Sequence, residues 1–464
     1  MNESSNPNPD DLNRRHFIKT TSTAVVGGTF LGGLSACKSG PEKKTAAAAT
    51  VATVAAATHA HASSDDTIKI ALIGCGGRGS GAANQALSTD GKVRLVAMCD
   101  AFPDRIDSSL DNLKKEHKEK VEVNDDKKFT GFDGYKQAIA LADVVILATP
   151  PGFRPIHFEE AVRQGKHIFM EKPVAVDAPG VRRVLAAAEE AKKKNLKIGV
   201  GLQRHHQIGY IETMKRLHDG AIGDIVAMRC YWNGSTPWVK TRESLEKQYG
   251  RKLTEMEYQM RNWYYFVWLS GDHICEQHIH NLDVINWVKK GYPVRAHGMG
   301  GVETRKGKDY GEIFDHHAVE FEYADGSRCA SQCRHQLGTW SNVSEYLVGT
   351  KGSCDVGGHT ILGENAWRSR EKGKDPYQVE HDDLFAAIRK NQPYNEAENG
   401  AKSTMTSILG RMATYSGKVI DWEDAINSKI NVMPERFAWD ANPQVLPDDT
   451  GWYPHAVPGK TVTV

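Results

Sequence analysis

A glycine run set between an apolar strand and a helix constrains this chain more than any other feature of its sequence. Thr67-Ile68-Lys69-Ile70-Ala71-Leu72-Ile73 is a short β-branched run of the kind that forms a buried parallel strand. It leads into Gly74-Cys75-Gly76-Gly77-Arg78-Gly79, and residues 80–87 then read as helix. Glycines 74, 76 and 79 have the G-x-G-x-x-G spacing. The first permits a tight turn, the second lets the backbone approach a pyrophosphate, and the third lets helix pack on strand. The amides of a helix N-terminus suit the phosphates of a dinucleotide.

A glycine run alone is a weak signal, and its surroundings strengthen it. Residues 93–99 form a second strand ending in Asp100, about 20 residues beyond the last glycine, where a carboxylate accepts hydrogen bonds from an adenosine ribose. A carboxylate there disfavours a 2′-phosphate, so NAD is expected over NADP, with Arg78 and Arg105 near enough to soften that preference. Strands at 143–148, 166–170 and 197–201 alternate with helices at 155–164 and 177–195, the pattern of a doubly wound α/β sheet. Thr149-Pro150-Pro151 and Glu171-Lys172-Pro173 follow two of these strands at their carboxyl ends, the ligand edge of such a sheet. Lys172 precedes proline, which biases its backbone to an extended form and lets its side chain project into the crevice.

The glycine loop, Asp100, Thr149-Pro150-Pro151 with His157, and Glu171-Lys172-Pro173 together resemble the glucose–fructose oxidoreductase / inositol dehydrogenase / rhizopine catabolism family over about residues 67–430. The resemblance implies a Rossmann domain followed by an α/β domain with a large, mostly antiparallel open sheet over the nicotinamide. It places Gly74, Gly76, Gly77, Arg78, Gly79, Asp100, Thr149, Pro150, His157, Glu171 and Lys172 around the cofactor. Lys172 is then expected near both the nicotinamide and a substrate hydroxyl. It also implies a homo-oligomer, dimer or tetramer, paired through the open sheet.

In the second half, residues 225–235, 313–323 and 327–335 are strand-like. The segment from Gly271 to Trp287 is the informative one. Read as one helix, it puts Glu276, His280, Asp283 and Trp287 on one face, a stripe too polar to bury unpaired and expected to line a wet cleft. The family pattern here is Asp-x-x-x-His-x-x-Asp, with the histidine as acid/base. Glu276 replaces the first Asp, which moves the carboxylate by about one methylene. Lys172, His280 and Glu276 are the expected catalytic residues, since hydride transfer from a carbinol needs a base for its proton and a cation beside its oxygen. Arg204, His205, Trp263, Glu276, His280 and Asp283 are the expected substrate contacts. A metal held by this His-rich segment is the lesser reading, and no metal is expected.

Residues 1–36 read as an export signal: Arg14-Arg15 in a basic region, an uncharged stretch, and Leu34-Ser35-Ala36-Cys37 as a lipobox. Residues 37–66 form an alanine-rich tether, 67–202 the dinucleotide-binding domain and 203–464 the substrate and oligomerisation domain. The expected location is periplasmic or envelope-anchored through Cys37, after the twin-arginine route. The seven other cysteines are scattered and odd in number, which argues against a disulfide framework. Cys329 and Cys333 lack the second pair that zinc requires. A net charge of +1 offers no electrostatic basis for nucleic acid or an anionic membrane surface.

Free NAD is scarce outside the cytoplasm, so a tightly bound cofactor, loaded before export, is expected. The reading preferred is an NAD(P)-dependent oxidoreductase acting on a hydroxyl or keto carbon of a sugar or glycoside. Its alternative within the family is a glycoside hydrolase that oxidises C3 transiently and eliminates the aglycone. A non-catalytic dinucleotide-binding protein is the third reading.

Overall fold

The computed structural model describes residues 66–464. The Arg14-Arg15 signal, the lipobox at Cys37 and nearly all of the tether therefore lie outside the described residues. Among the described residues no helix is long and apolar enough to cross a membrane.

Two sheets organise the chain. The N-terminal part alternates β1 (Ile68–Ile73), α1 (Gly77–Leu87), β2 (Val93–Asp100), α2 (Pro103–His117), β3 (Lys128–Thr130), α3 (Gly134–Ala140), β4 (Val144–Leu147), α4 (Arg154–Arg163), β5 (His167–Met170), α5 (Ala178–Lys193) and β6 (Ile198–Val200). Its six strands are all parallel, in the order β3-β2-β1-β4-β5-β6. The order reverses between β1 and β4, which opens a crevice at the carboxyl edge. The central strands are buried over most of their length and rich in Ile, Val and Leu. The first helix starts at Gly77, three residues earlier than its apolar pattern indicates.

The chain continues through α6 (Ile208–His218), β7 (Ile225–Gly234), α7 (Arg242–Tyr249), α8 (Glu255–Arg261), α9 (Val267–Ser270), α10 (His273–Glu276), α11 (Ile279–Lys289), β8 (Arg295–Gly301), β9 (His316–Glu322), β10 (Arg328–His335) and β11 (Asn342–Gly349). It ends with β12 (Gly352–Asp355), β13 (Thr360–Gly363), β14 (Trp367–Arg368), α12 (Pro376–Arg389), α13 (Ala397–Ser416), β15 (Ile420–Asp421) and α14 (Trp422–Asn427). The nine strands β7–β15 form one sheet, ordered β14-β13-β12-β11-β7-β10-β9-β8-β15 and antiparallel except where β7 meets β10. Residues of β9 and β10 alternate between buried and more exposed, so one face of the sheet carries the core, against α11 and α13, and the other is open.

The boundary at 202/203 divides the sheets but not the packing. Leu384, Phe385 and Ile388 of α12 belong to the core of the parallel sheet, with Ile68, Leu72, Val93 and Phe169. Tyr394 accepts the Ile198 amide at 2.9 Å, so the free edge of β6 is covered by a segment nearly 200 residues later.

Candidate active site

A cleft of about 690 Å3 runs from the glycine loop to the α10–α11 junction. At one end, Gly74 turns the chain with φ of 96°, and its amide donates to the Cys99 carbonyl at 2.8 Å. A Cβ on Gly79 would stand 1.9 Å from the Gly74 carbonyl oxygen, so α1 packs on the loop only because that atom is missing. Gly76 and Gly77 are different: a Cβ on either would meet nothing within 4 Å. Gly76 caps α1 without a side-chain hydrogen bond, and no acidic residue occupies the first turn. The first amides of α1 thus keep their donors for an anion, and the space before them fits a pyrophosphate. Asp100 accepts from the Cys75 amide at 2.7 Å and the Phe102 amide at 3.0 Å, which locks the ribose-side carboxylate to the same loop.

The ends of β4 and β5 are tied by Arg154, a residue that sequence reasoning missed. Its buried guanidinium donates to the Glu171 carbonyl at 2.9 Å and the Thr149 carbonyl at 2.7 Å. Burial pushes its pKa down to about 10. His157 lies 3.2 Å from the Thr149 hydroxyl, and burial with the Arg154 charge pushes it down to about 3, so it is neutral. Glu171 accepts from Arg78 Nε at 2.5 Å, and the Arg78 guanidinium lies 4.9 Å above the Tyr377 ring of α12.

Lys172 leaves the edge of β5 through a cis peptide to Pro173 and reaches the opposite wall. Its ammonium donates to the Glu276 carbonyl at 2.5 Å and to Glu276 Oε1 at 3.0 Å. His280 lines the same wall, stacked at 5.9 Å on Trp232. Burial, then the charges of Lys172 and Arg204, hold it well below the usual histidine range. Its Nδ1 is buried without a partner among the described residues.

The segment read as one helix is two. The His278 amide bonds back five residues to His273 at 3.2 Å, which ends α10 and offsets α11. Glu276 and His280 reach the cleft, but Asp283, about 4.5 Å further along the α11 axis, does not. Asp283 is buried and takes His205 Nε2 at 2.7 Å, Ser403 at 2.7 Å and Asn399 at 3.0 Å. His205 stacks on Trp287 at 4.1 Å, and Arg204 turns into the core to pair with Glu345. These three expected substrate contacts hold one another and their neighbours, because charge buried away from water needs a partner. Trp263 does line the cleft, beside Trp238 at 5.9 Å.

A parallel sheet with a bare glycine loop, a carboxylate at the end of β2 and a Lys–Glu–His wall across the crevice has the geometry of a dinucleotide-binding protein. Residues 68–200 match the model described as "Oxidoreductase family, NAD-binding Rossmann fold" (GFO_IDH_MocA), and this dinucleotide-binding part of the chain belongs to that family. Inositol 2-dehydrogenase of Ralstonia nicotianae is 28% identical over 266 residues, 56% of this chain and 66% of that protein. A glycosyl hydrolase family 109 protein of Shewanella pealeana is 29% identical over 186 residues, 39% of this chain and 38% of that one. The chain thus spans from under half to about two thirds of the length of these curated relatives. Scyllo-inositol dehydrogenase of Lactobacillus casei, solved with NAD(H) and scyllo-inositol, shares the fold with a TM-score of 0.58 at 21% identity, covering 77% of this chain and all of that one.

Proposed function

We propose that this chain is an NAD-dependent oxidoreductase that interconverts a hydroxyl and a keto carbon of a sugar or glycoside and holds its cofactor tightly. The observation that carries this reading is the meeting of Lys172, Glu276 and His280 in one cleft with the glycine loop. The nicotinamide, when bound, supplies the hydride acceptor or donor. The Lys172 ammonium, aimed by Glu276, holds the substrate oxygen and stabilises negative charge growing on it. His280, neutral, takes the hydroxyl proton at Nε2 in the tautomer that carries its own proton on Nδ1. Trp232, Trp238 and Trp263 offer apolar planes to the C–H faces of a sugar ring. The likeness to inositol 2-dehydrogenase supports a polyol substrate.

Asp100 favours NAD, since a 2′-phosphate would face its half-buried carboxylate. Arg78 is already engaged by Glu171 and Gln85. Tight retention is supported by elements that close on the adenosine end from outside the parallel sheet. Arg261 of α8 donates to Asp104 at 3.0 and 3.2 Å, and Phe437 and Trp439 pack on Phe132 at 6.1 and 4.7 Å. Exposed Met299, Leu337 and Trp340 support a homo-oligomer. The twin-arginine signal and Cys37 support an envelope lipoprotein. Exchanging Arg14 and Arg15 for lysine is expected to abolish envelope localisation on cell fractionation, and unchanged fractionation would overturn that assignment.

The deciding experiment takes the full chain purified without added cofactor, records the absorbance band of reduced nicotinamide, and adds a panel of glycosides. The expected result is bound nucleotide whose redox state changes with substrate, together with a keto-sugar product. Release of aglycone with no net absorbance change would instead favour the redox-neutral glycosidase, the reading supported by the Shewanella relative. A protein that retains no dinucleotide, and binds none when it is added, would overturn both.

A further inference from the structure

The break between α10 and α11 brings one more side chain to the cleft wall. Gln277 is half-buried there, and its amide N–H is fixed on the His273 carbonyl at 3.0 Å. Its side-chain Oε1 lies 2.7 Å from Nε2 of His335. An amide oxygen can only accept, so the ring nitrogen is the donor. With Oε1 taken, the amide NH2 has no partner among the described residues.

His335 is held in turn. It ends the inward row Cys329, Ser331, Cys333, His335 of β10 and is buried, with its ring 4.3 Å from that of His273. His273 Nδ1 donates to Asp272 at 2.8 Å. Asp272 sits at φ of 72°, a left-handed conformation unusual for a non-glycine residue. It also accepts from the Phe314 amide at 3.0 Å and the Tyr415 hydroxyl at 2.6 Å, with His317 Nε2 at 3.3 Å. Asp272, His273 and His317 stand close enough to be considered as metal ligands. Their separations and the donors already on Asp272 are instead those of a hydrogen-bonded hub. Its charge anchors β9, α10 and α13 to one point directly behind the cleft wall.

We propose that Gln277 is a specificity-determining residue, whose amide NH2 donates to a hydroxyl oxygen of the substrate on a carbon next to the reacting one, and that Asp272, His273 and His335 position it. The inference rests on the oxidoreductase reading, because Gln277 follows Glu276 in the wall that faces Lys172. A pair of fixed donors selects an oxygen acceptor at that carbon. It rejects a deoxy carbon, which leaves the donors unpaired, and an ammonium group, which sets donor against donor.

The test uses the full chain with its retained dinucleotide, methyl β-glucoside, and the singly deoxygenated analogues of that glycoside. It reads both kcat/KM and the quenching of tryptophan fluorescence, which reports binding without turnover. Gln277→Leu is expected to lose about 10- to 100-fold in kcat/KM on the parent glycoside. One deoxy analogue, already weakened by a similar factor with the wild type, should lose no more in the variant. His335→Phe should reproduce this selectivity, while His335→Asn, which can still donate to Oε1, should restore discrimination. Equal losses on the parent and on every deoxy analogue, or no loss at all, would overturn the proposal. A wild-type chain that gives neither turnover nor quenching with any glycoside overturns the underlying reading. A responsive wild type with an indifferent Gln277→Leu overturns only the role of Gln277.

Discussion

Lys172→Met is expected to lower kcat by about 10²- to 10⁴-fold while the dinucleotide stays bound. The ammonium is the cation at the crossing point of the cleft, held by the carbonyl and the carboxylate of Glu276. Methionine keeps most of the length of the side chain and removes the charge, so the glycine loop, Asp100 and the Arg154 tie between β4 and β5 are undisturbed. Glu276 loses its counter-ion, and its carboxylate is then left facing the substrate oxygen that Lys172 would have held. His280→Ala should cause a loss of similar order by removing the proton acceptor. Measuring kcat together with the dinucleotide content of denatured protein separates chemistry from binding. Turnover near that of the wild type in either variant would take that residue out of the mechanism.

The second large effect is a contrast between two glycines of one loop. Gly79→Ala is expected to destabilise the chain by about 1–3 kcal/mol and to abolish dinucleotide retention. Its Cβ would overlap the Gly74 carbonyl oxygen at 1.9 Å and press on Ala148 at 3.1 Å, each the first residue past a central strand, so helix and strand must separate. Gly76→Val should leave the stability of the cofactor-free protein nearly unchanged. Gly76 has φ of −73°, open to any residue, and its Cβ would meet no protein atom within 4 Å. The valine would instead fill the space in front of the α1 amides. Thermal unfolding with and without added NAD reads both effects. Gly79→Ala should lower the midpoint in either condition, and Gly76→Val should remove only the shift caused by NAD. A Gly76→Val protein that still gains the full NAD shift would show that the pyrophosphate does not lie there.

Much of this site is legible in the sequence because its parts are local. A glycine loop, the carboxylate at the end of the next strand, and the residues after β4 and β5 are each positioned by the strand they follow. Periodicity is therefore enough to bring them to one edge. Short-range pattern also identified three of the nine strands of the second sheet, β7, β9 and β10, although 313–323 begins only at His316. The same reasoning overran at Gly271–Trp287. Nothing in a helical period of 3.6 indicates that the His278 amide will reach back to His273 and divide the helix.

Residue types along the chain thus determined the dinucleotide half and singled out Lys172, Glu276 and His280 as candidates, while the two-sheet class of the fold followed from the family resemblance. Tertiary structure alone decided which charges face the cleft. Arg204, His205 and Asp283 look like substrate contacts in sequence but pair with Glu345, with each other and with Ser403, as buried charge must. Arg154 carries no signal in the sequence and is the tie beneath the cofactor edge. Gln277 acquires its orientation from His335, and α12 completes the core of a sheet it follows by nearly 200 residues. These contacts join segments far apart in the chain, and a local pattern carries no record of which distant groups will satisfy a buried donor or acceptor.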